Sequence, residues 1–314
     1  MAAGNTSAVG PVARRRSTLF ADFNEKEDAM GKKQILLACP ICHDKLIWNG
    51  DSVLSEDSTP RFMLKCSTCK VNYKGNKTYL DLTASRGSNK YGEWKINQHK
   101  LFRFPILSFL YERGWRQYFS IIGGFPGPQK EFELMREYLK PVIGGSIIDA
   151  SCGSGMFTRL FAKSGLFSRV VGLDFSVSML KQCYDYINRE ENISKENLIL
   201  VRADIALLPF SASSIVVVHA GAALHAWPSP SAGVSEISRI LRPGGVFAAT
   251  TFILDGPLSF IPISWLLTQI IGSHFYRSDR ELQELCSNCG LVDYTCIRNR
   301  GIVGFVMISA RKPN

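Results

Sequence analysis

The chain has 314 residues, 46% hydrophobic and 20% charged, which is room for one full α/β domain plus a smaller unit. No uninterrupted stretch reads as a bilayer span, and nine cysteines are too sparse for a disulfide-scaffolded secreted protein. The formal charge of +10 is uneven: residues 1–140 hold 22 Lys+Arg against 14 Asp+Glu, and 141–314 hold 15 against 13. A basic N-terminal part suits nucleic acid or an anionic membrane surface, and equally a solvated face with a basic leader.

Residues 1–34 are polar and unpatterned and predict a disordered leader. Its first 19 residues lack Asp and Glu and carry Arg14, Arg15, Arg16, Ser7, Ser17 and Thr18, the composition of an organelle transit peptide. Residues 35–82 predict a zinc ribbon. Short β-type runs at 35–38, 45–48, 61–65 and 79–82 surround Cys39-Pro-Ile-Cys42 and Cys66-Ser-Thr-Cys69, two C-x-x-C knuckles separated by 23 residues. Four thiolates at that spacing close a tetrahedral structural zinc site with no open position. The alternative is four free thiols.

Residues 83–128 predict a linker and helices that pack on a second domain, since apolar and aromatic residues alternate with basic ones between 93 and 120. That second domain is expected over 129–314. The pattern there alternates strictly through helix 129–139, strand 146–149, helix 155–164, strand 170–174, helix 176–189 and strand 198–202, and continues with strand 215–220, helix 231–241, strand 246–251 and helix 278–289. Strands at 293–297 and 302–310, joined by a short turn, form an antiparallel hairpin. The expected fold is a doubly wound α/β domain with a mostly parallel, seven-stranded sheet and that hairpin at its edge.

Three segments carry the chemistry. Asp149-Ala-Ser-Cys-Gly-Ser-Gly155 lies at a strand-to-helix turn, where Gly153 and Gly155 let backbone approach a ligand. A dinucleotide fingerprint would need glycine at 158, and Thr158 stands there, so the turn suits a ligand without a pyrophosphate. Asp174, nineteen residues after Gly155, is placed to accept from both hydroxyls of a ribose. It also reads as a strand-end cap, with Ser176 capping the next helix. Asp204, between Ala203 and Ile205, is placed to accept from an adenine amino group while its neighbours cover the ring, or is a surface turn residue.

These segments, with His219-Ala-Gly-Ala-Ala-Leu-His225 and Glu236-Ile-Ser-Arg-Ile-Leu-Arg-Pro-Gly-Gly245, resemble the class I methyltransferases, and among them the quinone-biosynthesis C-methyltransferases, over roughly 144–310. The whole chain is also similar to a group of plant methyltransferases assigned to the chloroplast. The resemblance implies S-adenosylmethionine as cofactor. It implies a binding set of Asp149, Ser151, Gly153, Gly155 and Met156 from the first segment and Asp174, Phe175, Ser176 and Met179 from the second. Ala203, Asp204 and Ile205 come from the third, and Ala220, Gly221 and Leu224 from the fourth strand's end. Two positions depart from the family pattern: Ser151 stands where a glycine is usual, and Val216 where an aspartate is common.

Methyl transfer needs alignment more than a fixed catalytic residue, but a proton on the nucleophile needs a base, and His225 is the best placed. Its other reading is a structural hydrogen-bonder, and Tyr276 is weaker still. From 256 to 272 there is no charge and a dense apolar run broken by Pro257 and Pro262. It reads either as a buried core helix or as an apolar lid favouring a small lipophilic acceptor, quinone- or lipid-like, with peripheral contact to a lipid surface. The expected location is the chloroplast, at lipid bodies (plastoglobules) or thylakoids, with mitochondrion or cytoplasm as alternatives. Two rivals stand beside this: a ribosomal-RNA guanine methyltransferase with an N-terminal zinc ribbon, which an apolar lid disfavours, and a non-enzymatic ribbon-bearing interaction protein. Cys286-Ser-Asn-Cys289 reads as packing at a helix end.

Overall fold

The computed structural model describes residues 37–49, 62–84, 126–253, 276, 278–299 and 304–314. The leader, most of the expected linker and helices over 83–128, and the apolar run 256–272 lie outside the described residues.

Among the described residues four short strands come first: β1 (Leu46–Asn49), β2 (Phe62–Cys66), β3 (Asn72–Gly75) and β4 (Leu80–Asp81). They are followed by α1 (Pro128–Leu139), β5 (Ser146–Ala150), α2 (Met156–Ser164), β6 (Arg169–Asp174), α3 (Val177–Arg189), β7 (Leu198–Arg202) and β8 (Ile215–Ala220). The chain continues with α4 (Pro230–Ile240), β9 (Leu241–Ile253), α5 (Asp279–Asn288), β10 (Val292–Asn299) and β11 (Gly304–Arg311). Strand order in the sheet is β1-β2-β3-β4-β7-β6-β5-β8-β9-β11-β10. The strands β4, β7, β6, β5, β8 and β9 run parallel to their neighbours in that series, and β11 and β10 complete the sheet antiparallel.

The expectation of seven strands therefore needs correction: among the described residues the sheet has eleven. Seven of them, β5 to β11, make the doubly wound part. The N-terminal strands extend it because β4 pairs in parallel with β7, Leu80 opposite Val201 and Asp81 opposite Arg202. The edge that β7 would otherwise expose is covered by hydrogen-bonded backbone. β3 lies outside the expected strands; only Tyr73 in Asn-Tyr-Lys-Gly signals a strand, and pairing with β2 supplies the rest.

β5 is buried along its whole length, as a central parallel strand covered on both faces must be. Ile147 packs on one face with Phe157, Phe161, Met135 and Leu139, while the next residue, Ile148, packs on the other with Val234, Ile237 and Ile240. Burying an apolar side chain of this size contributes roughly 1.5–3 kcal/mol. Among the described residues the N-terminal module shares its core with the sheet: Leu37, Leu46, Leu64, Tyr73, Leu80 and Leu82 are continuous with Ile199, Val201, Ile205 and Phe210.

Chain direction across the sheet reverses between β5, whose next strand β6 lies on one side, and β8 on the other. In doubly wound sheets ligands bind at the carboxyl ends of the strands beside such a reversal. Val216, by contrast, sits near the amino end of β8, buried against Gly145, where a Cβ would come within 2.5 Å of it. The family's usual aspartate is thus absent from a position remote from that edge.

Candidate functional site

Backbone hydrogen bonds tie the carboxyl ends of β5, β6 and β7 together. The amide of Cys152 donates to the Leu173 carbonyl at 2.9 Å, and that of Ala203 to the Asp174 carbonyl at 3.3 Å. The turn after β5 is left-handed at Ser151 (φ 59°), Gly153 (φ 56°) and Gly155 (φ 82°). A Cβ on Gly153 would meet nothing within 4 Å, so this glycine leaves a cradle open to a ligand. Gly155 is required for packing instead: its Cβ would fall 2.1 Å from Cys183 Sγ on α3. Ser151 accommodates its unusual backbone through a hydrogen bond, its hydroxyl accepting from the Trp227 indole N–H at 2.9 Å. That bond spans the β5/β8 reversal, and Gly233 leaves room for the indole ring, 2.8 Å from where a Cβ would stand.

Asp174 faces this turn. One carboxylate oxygen accepts from the Gly153 amide at 2.9 Å and the other from the Ser176 amide at 2.8 Å, leaving a second lone pair on each. Burial pushes its carboxyl above the ordinary carboxylate range, against the pull of those amides. Ser176 caps α3 as expected, its hydroxyl accepting from the Met179 amide at 3.4 Å. Asp204, half-buried, uses one oxygen to accept from the Ala206 amide at 2.9 Å. The loop it belongs to is clamped from α4, where Glu236 accepts from the Leu208 amide and Arg239 donates to the carbonyls of Leu208 and Phe210.

The sequence-derived set divides. Ser151, Gly153, Asp174, Phe175, Ser176, Asp204 and Gly221 meet at the strand ends with some exposure, and Met156 opens α2 beside them. Met179, Ala203, Ile205, Ala220 and Leu224 are buried side chains that support this surface. Asp149 has internal partners on both oxygens, Thr158 Oγ1 at 2.6 Å and the fully buried His219 Nδ1 at 2.8 Å. It braces the turn from behind. The roles of His219, Trp227 and Cys183 escape sequence reading, because each depends on a contact between distant segments. Only the position of His219 on β8, six residues before His225, offers a hint.

His225 lies just past β8, its Nδ1 3.2 Å from Thr251 Oγ1 and its ring packed edge-on to Phe252. Burial lowers its pKa to about 4, so the imidazole is neutral near pH 7. On the neighbouring loop the Ala222 amide donates to Thr250 Oγ1, which donates in turn to the buried Glu131 of α1. Tyr276 is buried against Ile253.

The four cysteines of the N-terminal module come together. Their sulfurs all lie within 4.8 Å of one another, with Cys39–Cys69 at 3.5 Å and Cys42–Cys66 at 3.3 Å. A tetrahedral zinc with bonds near 2.3 Å requires sulfurs about 3.8 Å apart, so the donor set fits that ion. Amide N–H groups already point at the ligands, Cys69 N to Cys66 Sγ at 3.4 Å, and the Tyr73 hydroxyl lies 3.1 Å from Cys39 Sγ. Cys286 and Cys289 stay apart from this cluster, on α5 and at its C-cap. Among the described residues no helix is long and apolar enough to cross a membrane.

Comparison with known proteins identifies the family. Residues 148–249 match the family described as methyltransferase domain. An uncharacterized chloroplastic methyltransferase of Arabidopsis thaliana is 56% identical over 296 residues, covering 92% of this chain and 82% of the relative. A second from the same plant is 43% identical, over 88% and 78% of the two chains. A demethylmenaquinone methyltransferase of Staphylococcus aureus is 35% identical over 104 residues, 33% of this chain and 41% of that protein. Among solved structures, a Haemonchus contortus phosphoethanolamine N-methyltransferase 2 with S-adenosylhomocysteine superposes with a TM-score of 0.56. It is 14% identical and covers 99% of this chain and 76% of its own; it shares the fold.

Proposed function

We propose, from the premise that this chain belongs to the S-adenosylmethionine-dependent methyltransferases, that it methylates a small lipophilic acceptor of quinone or lipid type. The observation that carries the site assignment is the convergence of the Gly153 amide with Asp174, beside Asp204, at the strand ends. The cofactor supplies an electrophilic methyl on sulfonium. In this reading the free lone pairs of Asp174 accept from its ribose hydroxyls, and Asp204 accepts from the adenine amino group. Phe175, 43% exposed, lies against the adenosine. The open cradle at Gly153 receives the chain that leads to the sulfonium.

Two facts support the lipophilic acceptor: the uncharged composition of 256–272, and the similarity to a demethylmenaquinone methyltransferase over 104 residues. The two chloroplastic relatives support a chloroplast location, with lipid bodies or thylakoids as the surface. The test is incubation of the purified protein with methyl-labelled S-adenosylmethionine and, separately, plastid quinone, lipid and RNA extracts. Label is expected in the quinone or lipid fraction; label in RNA alone would replace this reading with the RNA enzyme.

His225 is the proposed base where the acceptor carries a proton. With its pKa held near 4 by burial, the rate with the labelled acceptor is expected to stay flat from pH 6 to 8 and to fall only below about pH 5. His225→Gln is expected to lower kcat roughly 100-fold with the KM for cofactor little changed. A loss under threefold assigns His225 a structural role. The same shift bears on stability. The folded pKa lies below the unfolded 6.5, so the contribution is complete above pH 6.5 and is lost as pH falls towards 4.

The cysteine cluster holds structural zinc in this proposal, as a closed four-thiolate site. Metal analysis is expected to give one zinc per chain, and Cys42→Ser to reduce it towards zero while lowering Tm by roughly 5–10 °C. A fully folded protein without zinc would sink the assignment.

A further inference from the structure

The described N-terminal module touches the proposed adenosine-binding segment at both of that segment's ends. At one end β4 pairs with β7, and the Leu82 amide donates to the Arg202 carbonyl at 2.9 Å. At the other, Leu37 forms a bridge with Phe210, and the Ala38 amide donates to the Pro209 carbonyl at 3.0 Å. Cys39 comes immediately after. The segment between, with Ala203, Asp204 and Ile205, hangs between two attachments to the cysteine module.

A side-chain relay runs along the first attachment. Asp81 Oδ1 accepts from the Thr83 amide and hydroxyl, at 3.2 and 2.7 Å, which fixes the carboxylate. Its Oδ2 accepts from Arg202 Nη1 at 2.8 Å. The Arg202 Nε donates to the Phe175 carbonyl at 3.1 Å, and the guanidinium lies over the Phe175 ring, 5.3 Å from its centroid. Arginine suits such a place because its planar fork donates in two directions while its face stacks on an aromatic ring. Phe175 is the residue after Asp174, so its backbone and ring are both set by a contact that originates in β4.

We propose that the cysteine module is a positioning device for adenosine: Asp81 orients Arg202, Arg202 fixes Phe175 beside Asp174, and Ala38 anchors the far end of the Asp204 loop. Asp81 and Arg202 are positioning residues, acting on cofactor through Phe175. The inference rests on the proposed placement of the cofactor and adds what holds that place in shape. A ligand-free loop already held in its binding conformation loses less freedom when the ligand arrives, so the benefit falls on affinity.

The test is equilibrium titration of the full-length protein with S-adenosylhomocysteine. Asp81→Asn and Arg202→Gln are each expected to weaken binding roughly tenfold, and the double variant no more than either alone, since both break one relay. In a Phe175→Ala background, which removes the ring but keeps the carbonyl that Arg202 holds, Asp81→Asn is expected to have a smaller effect than in the parent, a pattern that general destabilisation does not produce. Asp81→Glu is expected to stay within about threefold of the parent protein. Arg280→Gln, which breaks the exposed pair with Glu284, is the control and is expected to bind as the parent does. If Asp81→Asn binds within twofold of the parent, or if Asp81→Glu is as weak as Asp81→Asn, the relay is overturned while the cofactor site stands. If the parent protein itself fails to bind, the cofactor placement and the relay fall together.

Discussion

Asp174→Ala is expected to abolish measurable cofactor binding, with affinity for S-adenosylhomocysteine falling at least 100-fold. The carboxylate serves four donors in the proposed complex: the amides of Gly153 and Ser176, at 2.9 and 2.8 Å, and two ribose hydroxyls. A hydrogen bond to a charged group contributes about 1.5–3 kcal/mol, so losing the two ribose bonds costs about 3–6 kcal/mol, or more than two decades of affinity. The fold should respond far less. Two amides lose their acceptor, but the same burial that raises the carboxyl's pKa disfavours the carboxylate in the folded state. Its removal offsets part of the loss. The pH dependence has a definite sign: protonation removes an acceptor, so binding weakens on acidification, and it does so at a pH above 3.8 because the carboxyl is shifted upward. Titration calorimetry and thermal unfolding on the same sample check both parts. An affinity within threefold of the parent would exclude Asp174 from the cofactor site.

Gly155→Ala is expected to cost about 2–5 kcal/mol of stability. Two independent terms make this up. The left-handed backbone (φ 82°) costs an L-residue about 1–2 kcal/mol. The Cβ would also stand 2.1 Å from Cys183 Sγ and 3.2 Å from Cys183 Cβ, and such overpacking costs about 1–3 kcal/mol. Either α3 moves away or the turn does, and both carry the proposed site, so binding should fall with stability. Thermal unfolding should move down by roughly 4–20 °C. The two terms separate in a second variant: Cys183→Ala removes the sulfur and should restore most of the overpacking part of Gly155→Ala while leaving the backbone part. If Gly155→Ala unfolds at the parental temperature, the close packing of α3 on the turn is refuted.

Much of the fold is legible in sequence because a repeating pattern has a local physical cause. Buried parallel strands are continuous apolar runs, and the expected strands 198–202 and 215–220 coincide with Leu198–Arg202 and Ile215–Ala220. Ser176 has the type and place of a cap, and it is one. Cysteine spacing groups Cys39, Cys42, Cys66 and Cys69, and their sulfurs do converge. β9 shows where such reading stops: the strand is expected over 246–251 but runs Leu241–Ile253. Arg-Pro-Gly-Gly falls in a break of register between the Leu241–Ile215 and Val246–Val217 pairs, and hydrogen bonds of Gly244 and Gly245 with Lys312 hold it in line with the strand.

Taken alone, then, the sequence determined most of the order of elements in the second domain, the methyltransferase motifs and the grouping of the four cysteines, since each is written in short local patterns. Tertiary structure decided the rest. Asp149 became a brace for His219, Ser151 found the Trp227 indole, Gly155 was required by Cys183, and Asp81 reached across 121 residues to Arg202. These are contacts between segments whose separation in sequence carries no periodic signal. They exist only because β4 docks on β7 and the strand ends meet at one edge.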